Sequence, residues 1–174
     1  CSAPGSKTTQ LAELIANEGE IWAVDRSLSR LNLVSINSLR LGATCINLLK
    51  ADASTLLSIK PEWKKYFQCI LIDAPCSGLG TLARHPDARW RMNPNKVKEL
   101  IELQGKLLEG IFPLLSSGGR LVYSTCTINP FENSHQISRF LSTHPGIRLI
   151  EQQQILPQFE KAGDGFYAAV LELA

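Results

Sequence analysis

Two thiols set among turn-forming residues offer the most reactive chemistry in the chain. Cys76 lies in Asp73-Ala-Pro-Cys-Ser-Gly-Leu-Gly80 and Cys126 in Ser124-Thr-Cys-Thr127, each just beyond an apolar, strand-like run. Cys126 also stands ahead of Asn129-Pro-Phe-Glu132, which has the features of a capping box with Pro at the first helical position. A helix N-terminus favours the thiolate and so raises nucleophilicity. Two such thiols facing one pocket suit covalent chemistry or a redox pair, and the spacing alone does not decide between them. Asn129, Glu132 and Asn133 are read as helix-start residues, and His135 and His144 are given no role. Cys45 and Cys69 sit in apolar runs and are expected to be small buried hydrophobes.

Three acids follow apolar runs in the same way: Asp25, Asp52 and Asp73. Ahead of them, Cys1-Ser-Ala-Pro-Gly-Ser-Lys7 reads as a tight turn feeding a helix N-terminus, where exposed N–H groups attract carboxylates or phosphates. It is not a P-loop, because Ser6 stands where a glycine is needed before Lys7, and a G-x-G-x-x-G fingerprint is absent. A carboxylate at the end of the strand after such a turn, here Asp25, suits ribose hydroxyls. Asp52, at the next strand end, is expected near an adenine. A lone acid in such a place is usually a helix cap, but three in successive units after a glycine turn point to nucleoside binding.

Between Arg84 and Lys98 the basic residues Arg84, Arg89, Arg91, Lys96 and Lys98 face one acid, Asp87, a local balance of +4 in a chain whose total is +2. His85, Trp90 and Met92 are interleaved. This mixture suits single-stranded RNA, whose bases stack on aromatics while its phosphates meet Lys and Arg; a solvated basic face is the plainer reading.

The elements that must position these groups follow from the apolar pattern. With 174 residues, 44% hydrophobic and 20% charged, the chain suits one domain with a packed core. No apolar run approaches a membrane span. No C-x-x-C pair is present, which argues against zinc. An odd cysteine count without a secretory signal suggests free thiols in a reducing cytosol, and hence a cytoplasmic protein. Strands are expected over Glu20–Asp25, Thr44–Leu49, Phe67–Ile72 (buried on both faces), Arg120–Ser124, Ile147–Ile150 and Phe166–Leu173. Helices are expected from Leu28 to a stop at Gly42, over Ser54–Ile59, from the Asn93-Pro94 cap to Gly118-Gly119, and near 130–143. Such alternation specifies an α/β fold with a mostly parallel sheet, whose ligands bind beyond the carboxyl ends of the strands.

The motif set resembles that of S-adenosylmethionine-dependent RNA cytosine-5 methyltransferases. It comprises Cys-Ser-Ala-Pro-Gly-Ser-Lys-Thr, Asp-Ala-Pro-Cys-Ser-Gly, Ser-Thr-Cys-Thr-Ile-Asn-Pro-Phe-Glu-Asn and Asp164-Gly-Phe-Tyr-Ala168, in that order. The stretch Arg84-His-Pro-Asp-Ala-Arg-Trp90 tilts the resemblance to the Sun/Fmu/RsmB branch, which modifies small-subunit ribosomal RNA. The resemblance implies a class I methyltransferase (Rossmann-like) sheet with a C-terminal antiparallel strand, and one catalytic domain over 1–174. It further implies that Cys1, Ser2, Ala3, Pro4, Gly5, Ser6 and Lys7 line the methionine moiety, that Asp25 takes the ribose, and that Asp52 approaches the adenine. Asp73 would border cofactor and target base, Cys126 would be the nucleophile, and Cys76 would assist product release. Ribosomal RNA is the implied partner of a monomer that needs neither metal nor membrane. Departures are Ser2 and Ser6, where Ala and Gly are usual, and Tyr167, where Phe is commoner. The strand that would precede Cys1, and an upstream RNA-binding domain, are expected to be missing. A gap of about two strand spacings, 9–10 Å, would then leave these residues unstable or inactive alone.

Other readings are a DNA cytosine-5 methyltransferase, in which Cys76 would be the nucleophile, and a non-catalytic RNA-binding or assembly protein. The Ser-Thr-Cys-Thr motif argues against the first, and retention of both thiols and three aspartates against the second. A thiol redox protein would leave those aspartates unexplained.

Overall fold

In the computed structural model, residues 1–158 and 163–174 are described. The chain divides into two compact units, Cys1–Leu56 and Leu57–Ala174.

In the first unit, helix α1 (Ser6–Leu14) precedes strand β1 (Ile21–Asp25), helix α2 (Leu28–Leu41) and strand β2 (Ile46–Lys50). β1 and β2 pair in parallel, with Asp25 beside Lys50. α2 runs over the expected span from Leu28 to the Gly42 stop. Ser27 Oγ accepts from the Arg30 N–H, and Gly42 closes the helix at φ 66°, a conformation that suits glycine. Leu31, Val34 and Ser38 recur on one face and are buried, so Ala3, Ala23, Leu31 and Val34 make a small core with Ile46 against it.

The second unit contains α3 (Leu56–Ile59, at the boundary), β3 (Phe67–Asp73), α4 (Ala88–Arg91), α5 (Pro94–Ile111), β4 (Leu115–Thr125), α6 (Ser134–Thr143), β5 (Ile147–Ile155) and β6 (Phe166–Leu173). Its sheet has the order β3-β4-β6-β5. β3 and β4 are parallel, whereas β6 runs antiparallel to both β4 and β5. The parallel pairings of β1 with β2 and β3 with β4, and the antiparallel final strand, are therefore as expected. The parallel register sets Asp73 beside Ser124, which brings together the two strand ends that carry the thiol loops.

Four expectations need correction. α5 starts on the Asn93 cap but ends at Ile111, because Pro113 lies in a 3-10 turn, Phe112–Leu114, that no α-helix could continue through. β4 therefore begins at Leu115, and Gly118 (φ 69°) and Gly119 fall in its irregular stretch rather than at a helix end. β3 is not buried on both faces. It lies at the edge of its sheet, only Ile72 along it is buried, and Cys69 is exposed, whereas Cys45 is buried. The segment after Cys126 opens as a 3-10 turn, Pro130–Glu132, and α6 starts only at Ser134 with no side-chain cap. The helix N-terminus invoked for the Cys126 thiolate is thus not at Cys126. Among the described residues, no helix is long and apolar enough to cross a membrane.

Candidate active site

The glycine turn of the first unit is built mainly from backbone. Gly5 takes φ 107°, and a Cβ on it would stand 3.1 Å from Val34 Cα, so only glycine lets the turn lie against α2. α1 begins directly after it without a side-chain cap, leaving helix-start N–H groups suited to an anionic group. The N–H of Ser2 donates to Val24 O at 3.1 Å. Asp25 is buried, with Oδ2 accepting from the Ala3 N–H at 3.3 Å and Oδ1 from the Ser27 N–H at 3.0 Å. Burial acts to raise the Asp25 pKa, but the surrounding donors and charges, first among them the Ser27 N–H, outweigh it and hold the group below its usual value. The ribose acceptor expected at Asp25 is thus also the brace of the turn; a carboxylate has lone pairs for both tasks.

Asp52 behaves largely as a cap. Its Oδ1 accepts from Ser54 Oγ at 2.7 Å and the Ser54 N–H at 2.9 Å, and Oδ2 lies 3.5 Å from Arg26 Nε. The Ser54 hydroxyl is the main reason its pKa is lowered. Ser6 is exposed at the start of α1, and Ser2 Oγ is buried with no hydrogen-bond partner among the described residues. An orphaned buried hydroxyl in a glycine turn, next to a braced carboxylate, fits a polar ligand that the turn would hold.

The second unit gathers Asp73, Cys76 and Cys126. Asp73 Oδ1 accepts from Ser124 Oγ at 3.1 Å, and the Ala74 N–H donates to Ser124 O at 2.8 Å. Beyond these strand ends the two sulfurs come within 3.4 Å, both half-buried and not joined by a disulfide. The hydrogen bond to Cys126, followed by burial, pushes the Cys76 thiol far above its ordinary value. Either sulfur can donate to the other across this contact.

Residues given no catalytic part by the sequence hold this pair. Glu132 is fully buried. Its Oε1 accepts from the Ser77 N–H at 2.8 Å and Gln104 Nε2 at 3.1 Å. Its Oε2 accepts from Ser77 Oγ at 2.6 Å and Asn129 Nδ2 at 3.1 Å. Gln104 also donates to Pro75 O at 2.9 Å, and Thr127 Oγ1 lies 2.8 Å from Ser77 Oγ. Asn133 accepts from Thr125 Oγ1 and donates to Thr127 O. Glu132 and Asn133 are thus parts of the thiol site rather than helix caps. Gln104 does carry a sequence signal: it is a polar residue on the apolar stripe of α5 formed by Leu107, Leu108 and Ile111.

A second clamp fixes the far side of the Cys76 loop. The Gly80 N–H donates to Cys126 O at 3.0 Å, and the Gly165 N–H donates to Gly80 O at 2.7 Å. A side chain on Gly80 would collide with the backbone of both partners. Arg84 pairs with Asp164 at the same place, which gives the Asp164-Gly-Phe-Tyr motif a structural task. Tyr167 donates to Gln152 Oε1 at 2.7 Å, and burial pushes its pKa up to about 12. In the basic segment Arg91 pairs with Asp87 at 2.7 Å, while Arg89 is exposed and Trp90 is 88% exposed. Among the described residues, no group of three or more His, Cys, Asp or Glu is placed to hold a metal ion.

Comparison with known proteins gives a consistent result. A family described as 16S rRNA methyltransferase RsmB/F matches residues 1–172. The probable ribosomal RNA small subunit methyltransferase B of Synechocystis is 49% identical over 144 residues, 83% of this chain and 32% of that protein. The crystal structure of PH0851 superposes with a TM-score of 0.92 at 35% identity, covering 98% of this chain and 40% of its own. The crystal structure of NSun6 from Pyrococcus horikoshii with SFG, an S-adenosylmethionine analogue, gives 0.83 at 29% identity, covering 99% of this chain and 46% of its own. The chain spans less than half the length of each, about a third of the Synechocystis relative.

Proposed function

Because the chain belongs to the 16S rRNA methyltransferase RsmB/F family, we propose that it transfers a methyl group from S-adenosylmethionine to C5 of a cytosine in small-subunit ribosomal RNA, through a covalent bond from Cys126 to C6. The observation that carries this reading is the pairing of Cys76 and Cys126 sulfurs at 3.4 Å beyond the Asp73–Ser124 strand ends.

The glycine turn from Cys1 to Lys7, with Ser2 and Asp25, is the part assigned to the cofactor. When bound, S-adenosylmethionine supplies an electrophilic methyl group on a sulfonium. Cytosine C5 is too weak a nucleophile to take it unaided. Cys126 corrects this: its thiolate bonds to C6, the C5–C6 π electrons make C5 an enamine carbon, and C5 then takes the methyl. Asp73 is suited to hydrogen-bond the exocyclic amine or N3 and so to stabilise the adduct. The base must leave its stack to reach these groups.

Cys76 has the complementary task. In the free site the contact with Cys126 and burial both raise the Cys76 pKa. Once Cys126 is bonded to carbon it is a neutral thioether and cannot itself act as the base. Cys76, the sulfur beside the adduct, is the group assigned to take the C5 proton. As that proton leaves, the C5–C6 double bond re-forms and Cys126 departs as thiolate. Against the reverse assignment, with Cys76 as nucleophile, stands the additional Ser124-Thr-Cys-Thr127 motif. Exposed Trp90 and Arg89 are assigned to RNA flanking the target, as a stacking face and a phosphate contact.

The test is nucleoside analysis of small-subunit RNA after incubation with the full-length protein and cofactor. The expected product is 5-methylcytidine, lost with Cys126→Ala. Methylation at another atom, or on Cys126→Ala unchanged, would overturn the reading.

A further inference from the structure

We infer that Glu132 is the positioning residue that sets the Cys76 loop against Cys126. Its side-chain partners are Ser77, Gln104, Asn129 and Thr127, and its local sequence suggests only a helix-start residue. The geometry points elsewhere. Its carboxylate has about four acceptor sites, and all four are filled by Ser77 N–H, Ser77 Oγ, Gln104 Nε2 and Asn129 Nδ2. Two of these donors belong to the residue that follows Cys76. Thr127, the residue that follows Cys126, reaches the same cluster through Ser77 Oγ at 2.8 Å, and its own approach to Oε2 is a longer 3.5 Å. Each hydroxyl has one proton, so Ser77 donates to the carboxylate and Thr127 donates to Ser77. Among the described residues the carboxylate is therefore the acceptor at the head of this chain, and its grip on the Cys76 loop is the tighter of the two.

The Glu132 backbone is held as firmly as its side chain: Tyr123 OH donates to its carbonyl at 2.7 Å, and Tyr123 and Glu132 are both fully buried. Gln104, carried by α5, ties Pro75 and Glu132 together. The segment Pro75–Ser77 is thus fixed from two sides by one buried carboxylate. Glutamine at 132 would keep the shape but turn an NH2 group toward donors that need an acceptor. Leaving such buried donors unmet is costly, and the simplest relief is for Ser77, and with it Cys76, to move.

This inference rests on the assignment of Cys126 as nucleophile and Cys76 as release residue, and two measurements separate them. The first needs no RNA: the full-length protein is treated with diamide, a two-electron thiol oxidant. Cys76 and Cys126 lose two electrons and two protons to it as their S–S bond forms, and the rate is followed by mass spectrometry. The native pair closes readily. Glu132→Gln slows closure about tenfold, the equivalent of one charge-assisted hydrogen bond, while alkylation of Cys126 by iodoacetamide keeps its rate. Ser77→Ala, which removes one of the two Ser77 bonds, gives a smaller slowing in the same direction and serves if Glu132→Gln does not fold. Unchanged closure in the folded variant, or equal loss of Cys126 reactivity, overturns the inference.

The second measurement uses RNA and cofactor. Glu132→Gln should lower turnover about 100-fold, the scale of a small misplacement of a reacting group. It should still form a denaturation-resistant RNA–protein adduct, as Cys76→Ala does. Slow closure combined with no adduct from Cys76→Ala would uphold the role of Glu132 and overturn the assignment of Cys76 instead.

Discussion

The glycine turn of the first unit and the thiol site of the second are built by different means. The turn is a backbone device: Gly5 at φ 107°, an uncapped helix start, and Asp25 accepting from N–H groups 22 and 2 residues away. The thiol site is a side-chain device, in which Ser77 and Glu132, 55 residues apart, determine where Cys76 lies. A turn that needs only its backbone tolerates side-chain change except where a Cβ has no room. A site made of buried polar groups that hydrogen-bond one another is sensitive at every member.

Gly80→Ala should give the largest effect. The added Cβ meets the backbone of Gly165 and Cys126, and neither can yield without breaking the clamp. A loss of about 3 kcal/mol in unfolding free energy is expected, at the upper end for overpacking, read as a fall in the denaturation midpoint. Gly5→Ala tests the other region. Positive φ and the approach to Val34 together should cost about 2 kcal/mol and weaken S-adenosylmethionine binding by calorimetry. The diamide closure rate of Cys76 and Cys126 should stay unchanged. A change in that rate would break the separation of the two devices.

Trp90→Ala should reduce affinity for single-stranded RNA by about 1 kcal/mol, the lower value for one stacked base, without altering cofactor affinity. Arg89→Glu should also flatten the salt dependence of binding by about 0.7 in log–log slope, since one fewer RNA phosphate is neutralised. Unaltered RNA affinity in both would remove the basis for that face. The smallest effect is in pH. Asp25 has a folded-state pKa below its ordinary 3.8. Its contribution to stability is therefore complete above that value and is lost as pH falls from about 4 through the folded pKa. Asp25→Asn should flatten the acid limb of a stability–pH curve in just that window, and an unchanged limb would contradict the brace.

These two devices also explain what is legible in the sequence. Gly42 and Asn93 are readable as helix ends, and Gly5 as a turn, because each acts within a few residues of itself. The strand-end aspartates and both thiol loops are readable because α/β alternation fixes where strands end. Glu132 misleads for the same reason that the caps are found: Asn-Pro-Phe-Glu satisfies a local pattern, while its actual partners, Ser77 and Gln104, lie 55 and 28 residues away. Cys69 misleads because an apolar run does not reveal that its strand lies at a sheet edge. The end of α5 is hidden because apolar spacing continues through Pro113 into β4.

The central claim is that Cys126 bonds to the cytosine and Cys76 releases it. Full-length protein carrying Cys76→Ala or Cys126→Ala is mixed with S-adenosylmethionine and small-subunit ribosomal RNA, denatured, and resolved for RNA-linked protein. A persistent adduct with Cys76→Ala and none with Cys126→Ala is the predicted result. An adduct only with Cys126→Ala would move the nucleophile to Cys76, and no adduct with either, alongside no cofactor binding by the unmutated protein, would contradict catalysis itself.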